Sequence, residues 1–195
     1  MEELLTYERS LFLWINRTHA PFPDAVMWAF SGIYIWCPLL MVPLYFGLRR
    51  RKDRIPAVLS VGLVTLLCSV VPAWLFKPLF ARFRPTAHPL FMDCVTLLHN
   101  YRADGDYGFI SGHATMAFGF ALLSLLLVRN GIYTVAILLW AFMMAYSRVY
   151  LGAHFVSDVI AGMGVGALLG WFVYRLYTYT VKRYFHTNSF NNTFR

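Results

Sequence analysis

The sequence predicts an all-α, polytopic membrane protein: a helix bundle of about five to six spans with an N-terminal interfacial helix. Three observations predict it. Of 195 residues, 59% are hydrophobic and 18% aromatic, and only 13% are charged, which is far from the charge content of an ordinary soluble domain. Apolar runs recur at 25–48, 55–76, 112–128, 132–151 and 156–181, each near the roughly 20 residues that cross a bilayer core. The basic residues gather on alternate connections between those runs. A single domain over 1–195 is the expected organisation.

The elements follow in chain order. Residues 3–17 place Leu4, Tyr7, Leu11, Trp14 and Ile15 on one stripe, with Glu8, Arg9 and Asn16 facing elsewhere. That pattern suits a helix lying in the membrane interface. A short sixth span is the rival, and Glu8 and Arg9 in its middle argue against it. With Glu2 and Glu3 and no basic leader, this segment does not read as a cleavable signal peptide. Arg49, Arg50, Arg51, Lys52 and Arg54 form the connection after the first span. Arg129, Arg175, Lys182, Arg183 and Arg195 fall on the same side, with Asp53 as its one acid. The positive-inside rule therefore puts the 49–54 loop in the cytoplasm. The net charge of +8 is then a topology signal, and no nucleic-acid partner is expected. Gly162, Gly166 and Gly170 recur every fourth residue in the last span, as in close helix packing. Cys37 and Cys68 read as packing residues, and Cys94 falls in the external loop between the second and third spans. No CxxC, zinc-finger or haem-attachment spacing is present.

On this topology three charged stretches reach the extracytoplasmic face together. KPLFARFRP (77–85) carries Lys77 and Arg84 seven residues apart, facing one way if that stretch is helical. Such a pair clamps a phosphate, or else snorkels to headgroups; Arg82 is expected to do the latter. Ser111 is placed to cap the third span, and the unpaired N–H groups of a helix start attract anions. Gly112 lets a phosphate oxygen approach the backbone. His113, one residue further, is placed to protonate a leaving oxygen, although a cap followed by histidine is often structural.

SRVYLGAHFVSD (147–158) is the strongest signal. His154 and Asp158 are four apart and share a face if helical. A carboxylate on one imidazole nitrogen would fix the tautomer and leave the other nitrogen nucleophilic. Arg148 adds a second guanidinium for phosphate oxygens, and Gly152 lets the chain turn between spans. The bland alternative is an intramembrane ion pair that stabilises the bundle. The loop 86–110 should lie over the site and contribute selectivity, with His88 near Arg84. Asp104 and Asp106 read as solvated.

Taken together, these stretches resemble the type 2 phosphatidic acid phosphatase superfamily. KPLFARFRP fits its first motif, KxxxxxxRP, and SRVYLGAHFVSD fits its third, SRxxxxxHxxxD. ISGH (110–113) is similar to the second motif, PSGH, with Ile110 in place of proline. The motifs cover about 77–158. The resemblance implies a metal-independent lipid phosphatase without cofactor. His154 would form a phosphohistidine, with Asp158 orienting it and His113 serving as acid and then base. Lys77, Arg84, Ser111, Gly112 and Arg148 would bind the phosphoryl oxygens.

Small bacterial members imply a multi-pass protein of the inner membrane with its site facing the periplasm or exterior. Its partners would be the bilayer and a lipid phosphate, with no obligate protein partner. Undecaprenyl pyrophosphate is the expected substrate; lipid A phosphate groups, phosphatidylglycerophosphate and phosphatidic acid are the alternatives. Three rivals stand beside this: a silent lipid-binding membrane protein, a metal-dependent hydrolase, and the vanadate-dependent haloperoxidases that share the pocket.

Overall fold

A computed structural model describes residues 2–32, 40–41, 44–45, 48–49, 51–89 and 91–191. Among them the regular elements are helices, with one isolated antiparallel bridge between Phe83 and Tyr107. In chain order the longer ones are α1 (Glu2–Asn16), α2 (Pro21–Ser31), α3 (Arg54–Phe80), α4 (Gly112–Val128), α5 (Gly131–Tyr150) and α6 (Val156–Asn191), with three short 3-10 turns between α3 and α4 and residues 40, 41, 44, 45 and 48 helical as well. By length and hydropathy α3, α5 and α6 are able to cross a membrane. The shorter α4 covers the expected 112–128. The first expected span, 25–48, is not one continuous helix: α2 starts earlier, at Pro21, and ends at Ser31, where Gly32 is extended. Its course through 33–39, and Cys37 with it, lies outside the described residues.

α4 sits in the middle of the bundle and packs against α3, α5 and α6. It is apolar all round, as a helix without a solvent face must be, and buries Ala114, Ala117, Phe120, Ala121, Leu123 and Leu127. The outer faces of the other helices expose Trp74, Ile132, Leu139, Ile160 and Leu168, an apolar perimeter of the kind lipid covers. Local chemistry sets the helix ends. Ser111 accepts from the Ala114 N–H at 3.4 Å, and Asn130 accepts from the Tyr133 N–H at 2.9 Å; both are N-caps.

α3 is irregular for a reason visible in its sequence. It is α-helical to Val70, π-helical over Val71–Phe76 and α-helical again over Lys77–Phe80. Pro72 and Pro78 lack the N–H groups that a regular ladder needs. The ladder is re-joined by a wider bond from the Lys77 N–H to the Pro72 carbonyl. The helix then stops at Ala81, whose φ of +43° is left-handed. Lys77 and Arg84 are therefore not two turns apart on one helix, contrary to the helical expectation.

The glycine pattern of the last span does pack closely. A Cβ on Gly166 would lie 2.2 Å from the Thr115 carbonyl oxygen, and one on Gly170 would lie 2.6 Å from that of Gly119. At Gly162 the neighbour is the Ser111 carbonyl, at 2.7 Å. At these three points of the α4–α6 seam backbone meets backbone.

α1 turns part of its expected apolar stripe outward, as an interfacial helix does. Tyr7 and Trp14 are both 70% exposed, whereas Phe12, Ile15 and Asn16 are buried. Phe12 packs on Phe91 and Phe155 at ring distances of 5.6 and 5.4 Å. Asn16 donates to the carbonyls of Tyr150 and Thr96 and accepts the Thr96 N–H. The face carrying Glu8 and Asn16 thus meets the protein, which supplies partners that no stripe of apolar residues could reveal.

Gly166→Ala should force the α4–α6 seam apart and destabilise the protein by about 2 kcal/mol, the usual scale of overpacking. Gly164→Ala, two residues away with nothing within 4 Å of the added methyl, should be neutral or stabilising by up to about 1 kcal/mol through helix propensity. Thermal unfolding in detergent compares the two, and equal melting temperatures would contradict the seam.

Candidate active site

The bundle brings four chain segments to one end: the exit of α3, the start of α4, the end of α5 and the start of α6. Lys77, Ser111–His113, Arg148 and Asp158 come one from each, and Arg84 and His154 arrive on the intervening loops. The α4 and α6 starts are tied directly, since the Ser111 N–H donates to the Asp158 carbonyl at 3.0 Å.

Arg84 is buried at 4% exposure and fixed from every direction. Its backbone N–H donates to the Asp106 carbonyl at 2.8 Å, and the Gly108 N–H donates to the Arg82 carbonyl at 2.8 Å. These two bonds zip 82–84 onto 106–108. Its guanidinium donates to the carbonyls of Asp104 at 3.1 Å, Gly105 at 2.9 Å and Ala153 at 3.0 Å. Nη1 also lies 3.0 Å from His154 Nε2. Burial, and then the neighbouring Arg148, hold the Arg84 pKa below its ordinary value. Asp104 and Asp106, expected to be only solvated, serve through their backbone oxygens. Gly108 is needed for space: a Cβ there would come within 3.1 Å of Arg84 Cγ and 3.2 Å of Asp158 Oδ2.

His154 is not on a helix with Asp158. It lies in the turn 151–155, which Gly152 opens at φ +76° and the Arg148 carbonyl closes by accepting from the Ala153 and His154 N–H groups. α6 begins only at Val156. Asp158, three residues past Phe155, folds its Oδ2 back onto the Phe155 N–H at 3.0 Å, the returning half of a capping box. The expected His154–Asp158 hydrogen bond is therefore not made: Nδ1 stands 3.8 Å from Oδ2 and has no hydrogen-bond partner among the described residues. The imidazole is buried, and its basicity falls well below the ordinary range because of that burial and the charges of Arg84, Arg148 and Lys77.

Arg148 is 1% exposed. Its Nη1 donates to the Ser31 hydroxyl and its Nη2 to the Tyr101 hydroxyl at 2.5 Å, while its Nε has no partner among the described residues. Tyr101 also lies under the guanidinium, 5.4 Å from ring centre, and packs edge-on against Trp28. The 86–110 loop thereby reaches the site through Tyr101. Lys77 is half-buried and interacts with Arg84 and Asp104. His113 is exposed and lies in the combined field of Arg148, His154, Arg84 and Lys77. A Cβ on Gly112 would meet nothing within 4 Å, so the start of α4 is open to an approaching group.

Lys77, Arg84, His113, Arg148 and His154 thus share one electrostatic neighbourhood, with Ser111 and Asp158 beside them, and several contributors were missed. Arg82, read as a headgroup cation, instead donates to Asp158 Oδ1 at 2.7 Å and to Glu8 Oε2 at 2.5 Å. Ser31, Tyr101 and Ser157 gave no local signal, being single hydroxyls with partners 47 to 149 residues away. His88 pairs with Arg9 at 3.3 Å and stands edge-on to Phe91.

Comparison with known proteins adds family to geometry. The sequence pattern of the PAP2 superfamily matches residues 53–182. The lipid A 4′-phosphatase of Porphyromonas gingivalis is 39% identical over 186 residues, which is 94% of this chain and 78% of that protein. The undecaprenyl-diphosphatase of Sulfolobus acidocaldarius is 32% identical over 173 residues, 87% of this chain and 78% of that one. The crystal structure of Aquifex aeolicus LpxE superposes with a TM-score of 0.60 at 26% identity, covering 85% of this chain and 93% of that one. The chain belongs to the PAP2 superfamily and is an enzyme of that family, a lipid phosphatase.

Proposed function

We propose that this protein removes a phosphate group from lipid A, as a 4′-phosphatase, by way of a phosphohistidine. The substrate reading rests on the 39% identity to the P. gingivalis enzyme along nearly the whole chain, against 32% for the undecaprenyl-diphosphatase. The expectation of undecaprenyl pyrophosphate gives way to it. The chemistry rests on one observation: buried His154 has its Nε2 3.0 Å from Arg84 Nη1, and burial together with the charges of Arg84, Arg148 and Lys77 holds its basicity well below the ordinary range.

In the first step neutral His154 attacks phosphorus through Nε2. The bond from phosphorus to the lipid oxygen breaks, and His113 delivers a proton to that oxygen. In the second step water attacks phosphorus and gives a proton to His113, and the P–N bond breaks to release phosphate and restore His154. Lys77, Arg84 and Arg148 bind the equatorial oxygens, joined by the N–H groups at the Ser111–Gly112 start of α4. This is stabilisation by donors already in place, which makes a divalent cation unnecessary. Asp158 faces the Nδ1 side and stabilises the imidazolium character that develops when Nε2 bonds phosphorus. The basic connections at 49–54 and beyond the α4 end favour the cytoplasmic side for the opposite rim. The site then faces the periplasm of the inner membrane, where a headgroup phosphate lies level with it.

Purified protein in detergent with EDTA should release phosphate from lipid A faster than from undecaprenyl diphosphate or phosphatidylglycerophosphate. His154→Ala should lower that rate by at least about a thousandfold, as loss of a nucleophile does, while inserting and folding normally. Retained turnover in His154→Ala would remove the nucleophile, and a preference for undecaprenyl diphosphate would overturn the substrate. The pH profile gives a second check. Because cations and burial depress the His154 pKa, the acid limb of kcat/KM due to this residue should lie below its ordinary value of 6.5. Lys77→Met removes one of those cations, so the limb should move up, whatever that substitution does to the maximal rate.

A further inference from the structure

The N-terminal helix has no part in the chemistry so far, yet one of its carboxylates reaches the site. Glu8 Oε2 accepts from Arg82 Nη2 at 2.5 Å, and Oε1 accepts from the Ser157 N–H at 3.0 Å and from its hydroxyl. Arg82 Nη1 then donates to Asp158 Oδ1 at 2.7 Å and to the Ser157 hydroxyl at 2.5 Å. The guanidinium rests on the Phe155 ring, 4.9 Å from its centre. A hydrogen-bonded path therefore runs Glu8, Arg82, Asp158, and the far oxygen of Asp158 stands 3.8 Å from the imidazole Nδ1 without a hydrogen bond.

Each link has a physical reason. The Asp158 side chain is 0% exposed, and a carboxylate so placed is held as an anion only by a partner charge and hydrogen bonds. Arg82 supplies that charge at Oδ1, and the Phe155 N–H supplies a bond at Oδ2. One planar guanidinium serves the two carboxylates from separate nitrogens of a rigid fork, a wider and more fixed reach than a single ammonium nitrogen has. Glu8, with its side chain 14% exposed, fixes the far side of that guanidinium. It also satisfies an N–H in the first turn of α6, the positive end of the helix that carries Asp158.

We propose that Glu8 and Arg82 are positioning residues for the reaction. They keep Asp158 ionised and aimed at the Nδ1 side of His154, so α1 is a working part of the active centre. The proposal rests on the reading of His154 as nucleophile. Its effect is greatest after Nε2 has bonded phosphorus, when the ring is cationic and the carboxylate 3.8 Å from Nδ1 stabilises it. Loss of either residue therefore lowers kcat and leaves KM nearly unchanged, because neither touches the phosphate.

The test measures kcat and KM for lipid A dephosphorylation with the full-length protein in detergent. The variants are Arg82→Ala, Arg82→Lys, Glu8→Gln and His154→Ala, with Glu3→Gln on the exposed side of the same helix as control. Arg82→Ala should lower kcat about a hundredfold and Glu8→Gln about tenfold, the range for partners that orient a functional histidine, with KM within about twofold. Arg82→Lys, which keeps the charge without the span, should fall between Arg82→Ala and wild type, and Glu3→Gln should match wild type. If His154→Ala is inactive while Arg82→Ala and Glu8→Gln keep wild-type kcat, the positioning role is wrong and the nucleophile stands. A kcat loss that merely follows the folded fraction, or that Arg82→Lys does not relieve, would also overturn it. Activity in His154→Ala would instead bring down the underlying reading.

Discussion

The structure depends on holding Lys77, Arg84 and Arg148 together in a place where water is scarce. Like charges at such depth repel, so the chain around them is arranged to supply negative potential without net charge. Arg84 has three backbone carbonyls and Arg148 has two hydroxyls. Dipoles of this kind reduce the repulsion without removing the positive field, which is what an anionic substrate requires. A carboxylate in direct contact with the trio would have neutralised the site. Asp158, the buried acid nearby, is instead paired with Arg82 on the far side of His154.

That arrangement also explains the character of His154. An imidazole surrounded by cations is a poor base but remains unprotonated, and neutrality is what nucleophilic attack needs. On the proposed mechanism the field that would bind the phosphate adds to burial in keeping His154 unprotonated.

Much of this was legible in the sequence, and the exceptions are instructive. Lys77, Arg84, Ser111, Gly112, His113, Arg148, His154 and Asp158 all meet, because a charged residue at the end of an apolar helix already implies depth and side. The spans over 112–128 and 132–151 emerge within a residue, since long apolar periodicity is a strong signal. What failed was local geometry inferred from spacing. Seven residues from Lys77 to Arg84 suggested two helical turns, yet Ala81 breaks the helix. Four residues from His154 to Asp158 suggested a shared face, yet the helix starts after His154. Spacing assumes an element, and active-site residues cluster where elements end. Glu8, Arg82 and Tyr101 were misread or passed over for a different reason: their partners are distant in the chain, and a single sequence carries no trace of such pairings.

The π-helical stretch at Val71–Phe76 has a consequence of its own. One surplus residue in a turn advances everything after it by about 100° around the axis, so this stretch works as a phase adjuster between the lipid-facing half of α3 and its charged tip. Deleting one residue there would leave a segment still long and greasy enough to insert, with the same topology and nearly the same hydropathy. Lys77 would nevertheless emerge on the wrong side of the helix, facing acyl chains rather than the reaction centre. Two membrane enzymes with indistinguishable hydropathy plots can therefore differ in activity through the angular register of a single span.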